Sequence, residues 1–233
     1  MMRRHMRLAP VWLTAAFFAG IPAASALSLL AGPVPAPPGL SGLLADQMGG
    51  GAAAPAPAVD ASYRPDPAVR QHLADIMAEA TSKREGPNQA EEMRTLVLSG
   101  EAVREYERIA PSIGFRANDA IDALAFYLLA QWGVANDHRA DITPAQAAGV
   151  RRQAARAFAG VADQVATDAL RQEFGEMLVI QGAIMAGVHE AAVRAGDEAA
   201  LARYAAMARE GGRDLFQADP ADIILTDDGF RRK

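Results

Sequence analysis

One stretch, Asn118 to Asn136 (NDAIDALAFYLLAQWGVAN), limits the fold more than any other part of the chain. Placed on a helix, Ile121, Leu124, Ala125, Leu128 and Trp132 share a face and Leu129 borders it; Phe126, Tyr127 and Val134 make much of the opposite side apolar. A helix apolar nearly all round is surrounded by other helices or by lipid. Here the 16 residues from Ala120 to Ala135 are interrupted by Asp122, Gln131 and Gly133, whereas crossing a bilayer takes ~20 residues with few or no charges. The run therefore predicts the central helix of a bundle. Asn118 is placed to accept from the free N–H groups of the first turn, with Asp119 and Asp122 where the helix dipole favours negative charge. The polar Asn136-Asp137-His138 predicts the end.

Upstream, residues 1–26 read as a secretory signal peptide: Arg3, Arg4 and Arg7, a 14-residue apolar run from Leu8 to Ile21, and the small-x-small site Ala24-Ser25-Ala26. The expectation is a periplasmic or secreted protein, cleaved near Ala26, with no transmembrane helix in the mature chain; an uncleaved membrane anchor is the alternative. Residues 27–62 are rich in Pro, Ala and Gly and predict a disordered linker, leaving a domain over 63–233. Loss of residues 1–26 removes three Arg and no acid from 23 basic and 28 acidic groups, so the mature chain carries a net charge of −8. That charge excludes nonspecific binding to nucleic acid or anionic lipid. With no Cys, the exported domain must hold together by packing alone.

Several further helices are legible. Asp66-Pro67 begins one, with Val69, Leu73, Ile76, Met77 and Ala80 in register, and Gly86-Pro87 ends it. A second starts at Asn88, is interrupted or kinked at Ser99-Gly100, and resumes to Pro111. Thr143-Pro144-Ala145-Gln146 is a capping box; Val150, Ala154, Ala157, Phe158 and Val161 form the stripe behind it, with Arg151, Arg152 and Arg156 facing away. Thr167-Asp168 opens a long helix whose inner face holds Leu170, Phe174, Met177, Leu178, Gln181, Ile184, Met185 and Val188, closed by Gly196. Gly175, Gly182 and Gly187 on it predict close helix approach, or room for something small. Asp197 starts a last helix ending at Gly211-Gly212. Ile223-Ile224-Leu225 is the one β-like run, with no hairpin partner evident. The expectation is all-α: a single bundle of about six or seven helices around a central apolar helix.

No pattern for a catalytic residue, metal or cofactor is present: no Cys nucleophile, no His-Glu-x-x-His, no Gly-rich phosphate loop and no Gly-x-Ser-x-Gly elbow. Past the signal peptide the histidines are His72, His138 and His189; His138 sits in a polar loop, and His189 borders its helix's apolar stripe as a hydrogen-bonded structural group. Glu173 and Glu176 are neighbours on one helix face, with periodicity placing Glu176 toward the outer arc. Gln131 and Gln181 lie at or in apolar stripes, where an amide needs a partner inside the protein or a ligand.

The run Asn118 to Tyr127, continued by Trp132 and Ala135-Asn136, resembles the central motif of an uncharacterised bacterial family of exported proteins, a domain of unknown function. The ending Asp222 to Phe230 (DIILTDDGF) is similar to that family's C-terminal signature. The resemblance spans about Asp66 to Phe230 and implies an exported helical domain, with no activity attached. The preferred reading is a noncatalytic binding or interaction domain for an unknown protein or small ligand, with Asn118, Asp119, Asp122, Gln131, Trp132, Asn136, Gln181 and His189 as candidate contacts. The alternative is a hydrolase or metal-dependent enzyme joining Asp122, Glu173 or Glu176 and His189 in one cleft. A third reading, a scaffold attached through residues 27–62, predicts that deleting them abolishes function without unfolding the domain.

Overall fold

A computed structural model describes Leu44, Met48 and residues 58–233 of the chain. The expected signal peptide and most of the expected linker lie outside the described residues. Among those described there are seven α-helices: α1 (Pro67–Glu85), α2 (Pro87–Ser99), α3 (Glu101–Ile109), α4 (Ala120–Ala135), α5 (Pro144–Ala159), α6 (Asp168–Ala195) and α7 (Glu198–Phe216). A two-stranded antiparallel hairpin follows, β1 (Ile223–Thr226) with β2 (Gly229–Arg232). The domain is all-α apart from that hairpin.

Helix α4 occupies the centre, as its all-round apolarity requires, and α5, α6 and α7 pack around it. Every residue of α4 except Gly133 is buried. On α6, Gly182 admits α4 closely: a Cβ there would come within 2.9 Å of the Phe126 ring and 3.4 Å of Tyr127 Cα. Of the two expectations for these glycines, close approach is what Gly182 supplies. Among the described residues, α6 is the one helix long and apolar enough to cross a membrane, and 72% of its most apolar window is buried inside the bundle.

The capping box at Thr143 and Gln146, the break at Gly100 and the Gly196 cap all form as read from the residues. Other readings need correction. Leu170, assigned to the inner face, is 42% exposed. Helix α7 continues through Gly211-Gly212 to Phe216; a Cβ at Gly212 would stand 2.5 Å from Pro220 Cγ, and one at either glycine 3.4 Å from the Gln131 amide nitrogen. Arg151, read as facing away, turns inward to Asp122. The hairpin was unexpected, and it is tied down from α5: Gln153 Nε2 donates to the Phe230 carbonyl (2.9 Å) while its Oε1 accepts from Phe230 N–H (2.8 Å). Gly149 lies against the hairpin turn, where a Cβ would sit 2.3 Å from Gly229 N.

The packed unit also starts earlier than Tyr63. Leu44 (0% exposed), Met48 (2%) and Ala61 (3%) belong to the core, and Ser62 pairs with Asp119 in an isolated antiparallel bridge, Ala120 N–H donating to Ala61 (2.9 Å) and Tyr63 N–H to Asn118 (3.0 Å). Removing residues 27–62 therefore strips side chains from the core, against the tether reading.

Candidate functional site

The candidate contacts separate into two groups at the two ends of α4. At the start, the N-cap is Asp119 rather than Asn118: its Oδ1 accepts from Ile121 and Asp122 N–H at 3.1 and 3.0 Å. Asn118 instead takes a left-handed backbone, φ +53°. Asp122 is fully buried, and both its oxygens are occupied. Oδ2 accepts from the Arg116 backbone (2.9 Å) and Arg116 Nε (3.1 Å), and Oδ1 accepts from Arg151 Nε. Arg116 also reaches Asp119 Oδ2 at 2.5 Å. Burial first, and then the charge of Asp122, push the Asp119 carboxyl above its ordinary range. Two carboxylates and two guanidiniums thus close this end with partners of their own. The Asn118 Oδ1 is buried without a partner, but it lines neither of the two clefts described below.

The amides further along α4 are internal bridges. Gln131 Nε2 donates to the Ala208 carbonyl of α7 (2.7 Å), Trp132 Nε1 to Ile223 (3.0 Å), and Asn136 Nδ2 to Trp132 (2.9 Å) and Pro220 (3.0 Å). Gln181 lies on the half-buried side of α6 rather than within the core. Glu176, expected on the outer arc, is fully buried because α1 packs over it. Arg70 grips it with Nε (2.8 Å) and Nη2 (2.7 Å), and Gln172 Nε2 adds a third bond at 3.0 Å. Glu173 is half-buried beside His72, 3.9 Å away.

These placements bear on the enzymatic alternative. At 1.5 Å per helical residue, Glu176 and His189 lie ~20 Å apart along α6, and Asp122 is ~16 Å from Gly133, which stands beside His189. Asp122, Glu176 and His189 are not brought into one cleft, and the two carboxylates are already held by arginines.

The finish of α4 is different. His138 N–H donates back to Gly133 (2.8 Å) and Asp137 N–H to Val134 (3.2 Å), a helix-ending pair of bonds that puts Asp137 in the left-handed region, φ +47°. A non-glycine residue there costs about 1–2 kcal/mol. The turn aims the Asp137 carboxylate at two cations or donors: Arg139 (Nη2 to Oδ2, 2.6 Å) and His189 (Nε2 to Oδ1, 2.8 Å). The Arg139 bond, with help from His189, holds the Asp137 carboxyl below its ordinary range. His189 must donate to a carboxylate, so a neutral His189 carries its proton on Nε2.

Beside this turn a cleft of about 110 Å³ opens between the C-terminal halves of α4 and α6. Leu129, Ala130, Gly133 and Val134 form one wall, Ala186, His189, Glu190 and Val193 the other, and His138 and Arg139 close one side. Gly133, the unburied position of α4, has open space where a side chain would stand. The His138 ring packs on Trp132 at 4.9 Å between centroids, and its Nε2 is buried with no partner. Burial chiefly, and His189 to a lesser degree, lower the His138 pKa, while a bond to the Ala140 backbone opposes them. With that bond made from Nδ1–H, the neutral ring presents Nε2 as an acceptor. Burial likewise raises the Glu190 carboxyl against the opposing Arg194. A second, larger depression of about 540 Å³, more open to solvent, lies between residues 64–69 and 168–172. Among the described residues no three His, Asp or Glu side chains gather as a metal ion requires.

Of the sequence candidates, only His189 lines this cleft. His138, read only as part of a polar loop, and Glu190, not singled out, also line it, and the bend that carries Asp137 to His189 is invisible from spacing. The available signal was Asn-Asp-His directly after an apolar helix, the pattern of a polar left-handed turn.

The described residues form a helical domain with an apolar-walled cleft between α4 and α6. The chain belongs to the family of unknown function DUF6683, which matches residues 46–233. No curated protein and no solved structure matches the chain.

Proposed function

We propose that the protein is an exported, noncatalytic binding domain and that its small-molecule ligand occupies the cleft between α4 and α6. One observation carries this reading. The most tightly enclosed helix of the bundle is left uncovered only at Gly133, and that position faces an apolar-walled space with polar groups gathered on one side. Ligand sites have this composition, apolar walls with few oriented polar groups. Export is supported by the basic, apolar and small-x-small succession of residues 1–26.

A Cβ added at Gly133 meets no atom within 4 Å, so Gly133→Leu, which extends from there into the cleft, is the variant that separates binding from folding. A library of small apolar compounds screened by ligand-observed NMR is expected to give hits on the unaltered protein that vanish in Gly133→Leu at equal melting temperature. Hits that persist in Gly133→Leu, or none on the unaltered protein, contradict the reading. Cell fractionation with N-terminal sequencing is expected to find a chain beginning at Leu27 outside the cytoplasm; full-length protein in the cytoplasm contradicts export.

A further inference from the structure

We infer that the cleft takes small primary amines, an apolar ring or short chain ending in an ammonium group, with the Glu190 carboxylate receiving the cation. This rests on the reading of the cleft as a binding site and names its ligand. Three observations lead to it.

The first is size. A cleft of about 110 Å³ is close to the ~150 Å³ cavity that takes up benzene, and well under the ~300 Å³ at which sites for larger ligands begin. One ring, or a chain of similar bulk, fills it against Leu129, Val134 and Val193.

The second is a carboxylate with acceptors to spare. Ala186, Glu190 and Val193 follow one another at helical spacing on α6 and all line the cleft, so Glu190 stands in the middle of that wall. Its side chain is 27% exposed, which leaves it within reach of a ligand. Among the described residues its carboxylate accepts no hydrogen bond; its charge partner is Arg194, one turn on, at 3.5 Å. An exposed pair of that spacing holds its members weakly, and burial outweighs it in raising the Glu190 carboxyl. The other polar groups of the cleft are occupied or out of reach. His189 Nε2 is bonded to Asp137 at 2.8 Å, Arg139 is held by the same carboxylate, and His138 Nε2 is enclosed by the fold.

The third is the balance of charge. Asp137 and Glu198 flank Arg139, at 2.6 and 3.7 Å, while Glu190 has Arg194. With both histidines neutral, three carboxylates face two guanidiniums, and one negative charge is left over beside the cleft. The whole chain carries −5 and favours the approach of cations in the same sense. An ammonium completes the set, whereas a ligand carboxylate adds to the excess.

Benzylamine and benzyl alcohol share a shape and differ in charge, and they serve as the probes, titrated into the full chain by calorimetry at neutral pH and low salt. Benzylamine is expected to bind about tenfold more tightly, the size of one hydrogen bond strengthened by charge. Glu190→Gln keeps the side chain's bulk and removes its charge, so it is expected to bring the two affinities together. Gly133→Leu is expected to abolish both. A preference for benzylamine that is absent or reversed in the unaltered protein, or that survives in Glu190→Gln, overturns the ligand class and leaves the cleft standing as a site. Binding of neither probe at millimolar concentration, or binding that persists in Gly133→Leu, overturns the site itself. If Glu190→Gln does not fold, the ¹³C resonance of the Glu190 carboxylate in the unaltered protein reports the same contact. It is expected to move with benzylamine and stay with benzyl alcohol, and equal responses to the two overturn the inference.

Discussion

The two ends of α4 carry the same kinds of residue, acids and amides beside arginines, yet they are finished in opposite ways. At the start, Asp119 and Asp122 are buried and every oxygen of Asp122 is taken by Arg116 or Arg151. At the finish, Asp137 is half-exposed in a strained turn, His138 keeps an unmet nitrogen, and Gly133 opens onto a cleft. The first arrangement is what a chain needs when a polar helix terminus is packed against other elements. The second places its polar groups beside an open, apolar-walled space, whereas Asn118 Oδ1, the unmet atom at the start, lines neither cleft. Polar residues next to an apolar helix therefore do not by themselves mark a site. The distinction lies in whether an open space adjoins them.

The contrast is sharpest in the two aspartates. Asp122→Ala removes a buried acceptor from the Arg116 backbone N–H and from two partly exposed guanidiniums, one of which keeps Asp119, and is expected to lower stability by about 1–3 kcal/mol, measured by urea denaturation, with ligand binding at the cleft unchanged below the transition. A loss below ~1 kcal/mol would mean the Arg pairs do not close that end. Gly149→Ala comes next, because the added Cβ collides with the hairpin backbone whose Ile223 carbonyl anchors Trp132. A loss of about 1–3 kcal/mol, with a shift in Trp fluorescence, is expected; an unchanged spectrum would free the finish of α4 from the hairpin. Asp137→Gly is expected to change stability by less than ~1 kcal/mol, since relief of the left-handed strain offsets a half-exposed ion pair. A loss as large as that of Asp122→Ala would erase the contrast.

The smallest effect is a slope. The His138 pKa is lower folded than unfolded, so between the two values the unfolded chain binds more protons. The His138 contribution is then fully present above the unfolded value of ~6.5 and is lost as pH falls through the folded one. His138→Phe is expected to flatten the decline of stability on acidification below that point, and an unchanged slope would place the titration elsewhere.

Sequence periodicity carried the reading of α4 because a helix apolar on all sides has only one place in a bundle, and the Thr143 capping box and Gly196 cap needed only local chemistry. What stayed hidden depended on partners distant in sequence. Glu176 looked solvated until Arg70, on α1, was placed over it. Residues 223–226 looked unpaired because their partner strand shows no alternation and their anchor, Gln153, belongs to a helix. The cleft needs His138 and His189 side by side, and no local pattern joins a loop after one helix to the C-terminal half of another. His189 was legible as a border residue on its helix, and its Asp137 partner was not.

The most direct measurement is a titration of benzylamine into ¹⁵N-labelled protein, followed through backbone amide shifts. The account expects perturbations to gather on Leu129–Arg139 and Ala186–Val193, with amides from Arg116 to Leu124 unmoved. Shifts centred on residues 116–124, or none at millimolar benzylamine, would contradict it.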